Sequence, residues 1–190
     1  MIEKCQFFDN LAQSDDMTIG TGGAFQIIGT GTANFTNTTF YNNQAIGSID
    51  DGGGHIMIYS GTVNLMNCTL AEGNTTSQGG SVSLINNTCT LNATNTIFSH
   101  STATLSNPII AKRTGIVNLT NCLFDLPCPS GVTCTGSVVN KDPLYTDVSS
   151  KDLSLTACSP AINAGTNAGA PTTDIINTAR PQFTTVDVGA

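Results

Sequence analysis

The sequence of 190 residues has no Trp, and only 6% of its residues are aromatic and 10% charged. Basic residues are scarcest: six Lys and Arg stand against thirteen Asp and Glu, a formal net charge of -7. A nucleic-acid interface needs clustered Lys and Arg to displace phosphate counterions, so a nucleic-acid partner is excluded. No apolar run approaches the roughly 18 residues of a membrane-spanning helix, which excludes a helical transmembrane segment. The strong helix formers Leu, Glu, Lys and Arg are sparse as well. What fills the chain instead is 29 Thr, 19 Asn, 19 Gly and 15 Ser. Because 39% of residues are hydrophobic, burial is available to offset backbone entropy. The small polar excess therefore points to a repetitive architecture rather than to disorder.

Apolar residues come in short alternating runs such as Phe25-Gln26-Ile27, Ile56-Met57-Ile58, Val82-Ser83-Leu84 and Val117-Asn118-Leu119. Alternation over a few residues, bounded by Gly, Asn and Ser, reads as short strands. One longer pattern recurs in Ala33–Phe40, Val63–Leu70, Leu91–Phe98 and Val117–Phe124, with a partial copy at Cys5-Gln6-Phe7. The spacing of its second Asn is 30, 28 and 26 residues, and the pairs Gly22-Gly23, Gly53-Gly54 and Gly79-Gly80 recur alongside. Unequal periods in this range indicate a solenoid with loops of varying length. The fold class is all-β, a parallel β-solenoid of about five coils over residues 1–125, with a less regular C-terminal segment, 126–190, packed on the same rod as one domain.

Stacking successive coils at the interstrand spacing of about 4.8 Å aligns three apolar columns. These are Ala33/Val63/Leu91/Val117, Phe35/Leu65/Ala93/Leu119 and Phe7/Phe40/Leu70/Phe98/Phe124. The column Asn37, Asn67, Asn95 and Asn121 falls where a strand ends and reads as an asparagine ladder, since Asn tolerates the left-handed corner and its amides stack. The glycine pairs mark another corner, where positive φ or close backbone approach excludes a Cβ.

The seven cysteines are an odd count. Cys5, Cys68 and Cys122 share one column with Thr38 and Thr96 between them; two rungs, about 9.6 Å, exceed disulfide reach, so they read as small buried side chains. Cys128 and Cys134 lie in a loop after the last repeat, where a bridge is geometrically reasonable and implies an oxidising compartment. No paired Cys and His spacing indicates zinc.

The segments Phe7-Phe8-Asp9-Asn10 and Phe40-Tyr41-Asn42-Asn43, followed by Gly22-Gly23-Ala24-Phe25 and Gly53-Gly54-His55-Ile56, resemble the FxxN and GGAI repeats of chlamydial polymorphic outer-membrane proteins and related β-helical adhesins. Later coils depart from this pattern, since Phe98-Ser99-His100-Ser101 lacks the Asn and Asn107-Pro108-Ile109 replaces the Gly pair. The tail is similar to the C-terminal end of bacterial choice-of-anchor Q and parallel β-helix repeat proteins. The match rests on Asp142-Pro143-Leu144-Tyr145, Asp152–Gly165, Thr173-Asp174, Arg180-Pro181 and Val186–Ala190 in that order. The resemblance implies a right-handed β-helix, secreted or displayed at the cell surface. Since Met1 opens directly into a coil with no signal segment, the chain reads as the C-terminal part of a longer exported protein.

The first functional expectation is an extracellular structural or adhesion module, its partners carbohydrate or other surface proteins. The alternative is a polysaccharide lyase or glycoside hydrolase, whose chemistry needs carboxylates and a base near the sugar. For that reading Asp15, Asp16, Asp50, Asp51 and His55 are the ligand or metal candidates, with Ca²⁺ the cation such loops would hold. No catalytic residue and no other cofactor is assigned. A third expectation is an ice-binding array formed by Thr30, Thr32, Thr62, Thr88, Thr90 and Thr114, against the plainer reading of Thr as a solvent-facing strand residue.

Overall fold

The computed structural model describes residues 1–14, 21–47 and 52–190. Alternation of inward apolar and outward polar residues produces short parallel strands, and the coil lays them into four stacked sheets. Sheet A holds Ile2–Glu3, Thr32–Thr36, Gly61–Met66, Cys89–Thr94, Ile116–Thr120 and Cys134–Thr135. Sheet B holds Gln6–Phe8, Thr39–Tyr41, Thr69–Ala71, Ile97–Ser99 and Leu123–Phe124. Sheet C runs from Leu11–Gln13 to Thr102–Ala103, and sheet D from Phe25–Ile27 to Ile110–Lys112. The four rungs in each of sheets C and D bound about three full turns, fewer than the five coils expected, because the first and last copies of the repeat contribute only part of a coil.

Register is uniform along the rod. Ala33 pairs with Val63, Val63 with Leu91 and Leu91 with Val117; Phe40 pairs with Leu70, Leu70 with Phe98 and Phe98 with Phe124. These inward columns form one continuous core in which Phe7 stacks on Phe40 and Phe98 on Phe124, at ring separations of 4.9 and 5.2 Å. A shift of one residue would turn the whole apolar set outward, so burial on one face fixes the register.

The corners explain the polar excess. Between sheets A and B, Lys4, Asn37, Asn67, Asn95, Asn121 and Gly136 all take positive φ, from 46° to 62°. The side chain after each corner donates to the carbonyl two residues back: Cys5 to Glu3, Thr38 to Thr36, Cys68 to Met66, Thr96 to Thr94, Cys122 to Thr120 and Ser137 to Thr135. Cys, Thr and Ser therefore alternate in one column because each is small and carries a donor. Burial pushes the thiols of Cys68 and Cys122 up to about 12, which leaves them protonated at neutral pH. At the glycine corner, Asn107 takes the left-handed conformation in place of the first Gly, with φ 53°, and Pro108 can follow it because sheet D has no further rung to press on it.

Beyond residue 125 the chain first extends the rod: Cys134–Thr135 pairs with Leu119 and Thr120, and a disulfide links Cys128 to Cys134 with Cα atoms 6.1 Å apart. Leu126, Val132, Cys134 and Val139 pack against the end of the core, so this loop covers the last coil. Reduction should lower unfolding free energy by about 2 kcal/mol, the loop-closure entropy of so short a ring. Urea midpoints with and without reductant check this; no change would mean the cap is held by its apolar contacts alone.

The rest of the tail folds over sheet B. Tyr145–Asp147 and Asp152–Leu155 form an antiparallel hairpin around a 3-10 turn at Val148–Ser150, capped by the Asp147 carboxylate. Tyr145, Leu153, Leu155, Ala161 and Val188 close a second apolar layer on Tyr41, Ala71, Ile97 and Leu123, the outward residues of sheet B. No helix among the described residues is long and apolar enough to cross a membrane.

Candidate functional site

With sheet B covered by the tail, sheet A, six strands wide, is the largest sheet whose outward columns remain in view. Alternation along its strands points three residues per rung outward. The first column is Thr32, Thr62, Thr90 and Ile116; the second is Asn34, Asn64, Asn92 and Asn118; the third runs Thr36, Met66, Thr94 and Thr120. In the middle column each amide bonds the next: Asn64 Nδ2 donates to Asn34 Oδ1 at 2.6 Å, Asn92 to Asn64 at 2.7 Å and Asn118 to Asn92 at 2.8 Å. Hydrogen-bonded amides in a chain polarise one another and lock each rotamer. The hydroxyls of Thr32, Thr62, Thr90, Thr36, Thr94 and Thr120 have no protein partner among the described residues. The result is an uncharged array of donors and acceptors, interrupted at Met66 and Ile116, repeating at the strand spacing.

This ladder lies three residues before the one expected. Asn37, Asn67 and Asn95 are fully buried, and of that column only Asn95 bonds its neighbour, donating to Asn67 Oδ1 at 3.1 Å. Their amides mainly hold the returning tail. Asn121 donates to Ala164 O, Asn95 to Thr166 O, Asn67 to the carbonyls of Asp187 and Gly189, and Asn37 to Thr173 O. Thr166 N donates back to Asn95 Oδ1 at 2.8 Å. The column thus works as a clamp: residues 164–173 run down the rod from Asn121 to Asn37, and residues 187–189 come back to Asn67 and Asn95. The exposed ladder was present in the repeat as its first Asn, two residues inside the strand, where alternation alone places it outward.

The other expected residues are scattered. Thr32, Thr62 and Thr90 stand in register, whereas Thr30, Thr88 and Thr114 lie outside the strands, and Thr114 Oγ1 donates to Ile85 O. Asp15, Asp16, Asp50 and Asp51 fall outside the described residues. His55 does not join a surface site: it is fully buried, its Nδ1 lies 3.0 Å from Asn43 Nδ2, and its Nε2 has no hydrogen-bond partner. It follows the crowded glycine corner and points inward, against Phe40. Among the described residues no group of three or more His, Cys, Asp or Glu side chains is placed to hold a metal ion.

Burial pushes the His55 pKa down to about 3 from 6.5, so the ring is neutral in the folded protein. A base depressed on folding stabilises fully above its unfolded pKa and progressively less as pH falls below it. Between about pH 6 and 5, above the range of ordinary carboxylates, stability should fall by about 1.4 kcal/mol per pH unit. Uptake of one proton per unfolding event in this window checks it; a flat profile would mean the imidazole charges without unfolding.

Compared with known proteins, the chain matches no protein-family model, no curated protein and no solved structure.

Proposed function

We propose that this chain is an extracellular structural and adhesion module, secreted or held at the cell surface, that binds a neutral carbohydrate polymer along the outward face of sheet A. The observation that supports this most is the unbroken Asn34–Asn64–Asn92–Asn118 ladder flanked by threonine hydroxyls without protein partners among the described residues. A polymer of hydroxylated rings offers donors and acceptors at regular intervals, and a rigid periodic face meets them without ordering cost. The absence of charge on these columns suits a neutral chain, where a carboxylate or ammonium would have to be desolvated. The Cys128–Cys134 disulfide and the resemblance to exported β-helical adhesins and choice-of-anchor proteins support an oxidising, extracellular setting.

The test is co-sedimentation with insoluble cellulose and chitin. Wild type should pellet with at least one of them, and Asn64→Lys, which breaks the ladder at its second rung and adds a charge, should bind at least tenfold more weakly with an unchanged melting curve. Equal binding by the variant would overturn the assignment of the face. Release of reducing ends or unsaturated products would instead favour the enzymatic alternative, and inhibition of ice recrystallisation lost in Thr62→Lys would reassign the threonine column to ice.

A further inference from the structure

The tail does not seal sheet B completely. A cleft of about 620 Å³ remains between the hairpin and the returning chain. Its floor is one outward column of sheet B, Gln6, Thr39, Thr69 and Ile97, in direct register. One wall is the hairpin strand Asp152–Leu155, and the other is the segment carrying Asp174, Arg180, Phe183 and Asp187. The volume lies within the range of small-ligand sites, about 300 to 1,000 Å³.

Arg180 is the unusual element of this wall. It is half-buried, yet among the described residues its guanidinium makes one hydrogen bond, from Nη1 to Asn37 Oδ1 at 3.3 Å, and no ion pair. A guanidinium has five donors in a planar fork matched to carboxylates, and most of those of Arg180 have no protein partner among the described residues. Burial lowers its pKa, and the fields of Asp174 and Asp187 oppose that, so the group remains a cation.

The two carboxylates are themselves half-used. Asp174 Oδ1 accepts from the backbone N–H groups of Ile176 and Thr178, and Asp187 Oδ1 accepts from Asn163 N. The second oxygen of each has no protein partner among the described residues. Phe183, 74% exposed, offers a free aromatic face at the rim, and Ile97, Leu153, Leu155 and Ile162 give the interior an apolar side.

We infer that this cleft is a second binding site, distinct from sheet A, that takes a carboxylated sugar bearing an N-acyl group. The ligand carboxylate meets the free donors of Arg180, ring hydroxyls donate to the second oxygens of Asp174 and Asp187, the ring stacks on Phe183, and the acyl methyl enters the apolar side. An acidic peptide fits this chemistry poorly, because additional carboxylates would face Asp152, Asp174 and Asp187.

The probe is sialyllactose, titrated into the whole chain by calorimetry or NMR. Binding should weaken at least tenfold for the methyl ester of the same sugar and for lactose, both read on the unaltered protein. Phe183→Ala, at an exposed position that leaves the fold intact, should weaken it at least fivefold, and Arg180→Gln at least tenfold. No binding of sialyllactose, equal binding of its ester, or tighter binding of an oligoglutamate peptide would overturn the inference. A glucuronate disaccharide binding as tightly as sialyllactose would overturn the acyl assignment. Asn64→Lys should leave sialyllactose binding unchanged, so loss of polymer binding at sheet A and loss of binding here are separate results.

Discussion

Gly54→Ala should abolish the native fold, whereas Gly31→Ala should leave it intact. The contrast isolates sterics from glycine's backbone entropy. A Cβ on Gly54 would sit 2.2 Å from the carbonyl oxygen of Gly80 and 2.5 Å from the amide nitrogen of Asn74. Both obstacles are backbone of the next coil, which is held in register by every sheet and cannot step aside. At Gly31 the nearest atom would be the Ile27 Cδ1 methyl at 4.0 Å, and its φ lies outside the left-handed region. The first substitution should cost at least about 4 kcal/mol, at the extreme of single-residue effects. The second should be neutral or stabilise by up to about 1 kcal/mol through the unfolded chain. Urea denaturation of the two variants decides it, and a native-like Gly54→Ala would mean that the coils are spaced more loosely than the structure has them.

Asn95→Ala is expected to release the C-terminal tail. This fully buried amide donates to Asn67 Oδ1 and Thr166 O and accepts from Thr166 N, all from a left-handed backbone at φ 51°. Alanine strands those buried partners, at about 1 to 3 kcal/mol for each unsatisfied group, and adds about 1 kcal/mol of backbone strain. A total loss of about 3 to 5 kcal/mol follows, and it is directional: residues 164–190 should become sensitive to protease and exchange their amides before the coils do. Aspartate cannot substitute, because it keeps the acceptor for Thr166 N while losing both donors. If the tail of Asn95→Ala stays protected, the buried asparagines are corner residues and nothing more.

These expectations rest on features that were unequally readable in the sequence. Register was legible because the apolar alternation of Val63-Asn64-Leu65 and Leu91-Asn92-Ala93 tolerates only one pairing that buries both columns. The glycine corner was legible as a place without a Cβ, but not its division of labour. Gly53, at φ 93°, turns the chain, and Gly54 makes room for the next coil. The role of Asn37, Asn67 and Asn95 was half legible: the left-handed corner follows from the residue type, while the partner is the backbone of residues more than 70 positions away, which no local pattern encodes. The His55 environment was hidden for the same reason. The sequence grouped it with the loop carboxylates as a ligand candidate, and only the coil-on-coil stacking turns the ring inward. The Arg180 cleft exists solely because the tail crosses sheet B, so its residues carry no common spacing.

The binding face can be tested by following side-chain amide signals by NMR while cellohexaose or chitohexaose is added. The NH₂ groups of Asn34, Asn64, Asn92 and Asn118 should shift together and saturably, while those of the buried Asn37, Asn67 and Asn95 stay fixed. Shifts confined to other surfaces, or none on the exposed ladder with either oligosaccharide, would contradict carbohydrate binding at sheet A.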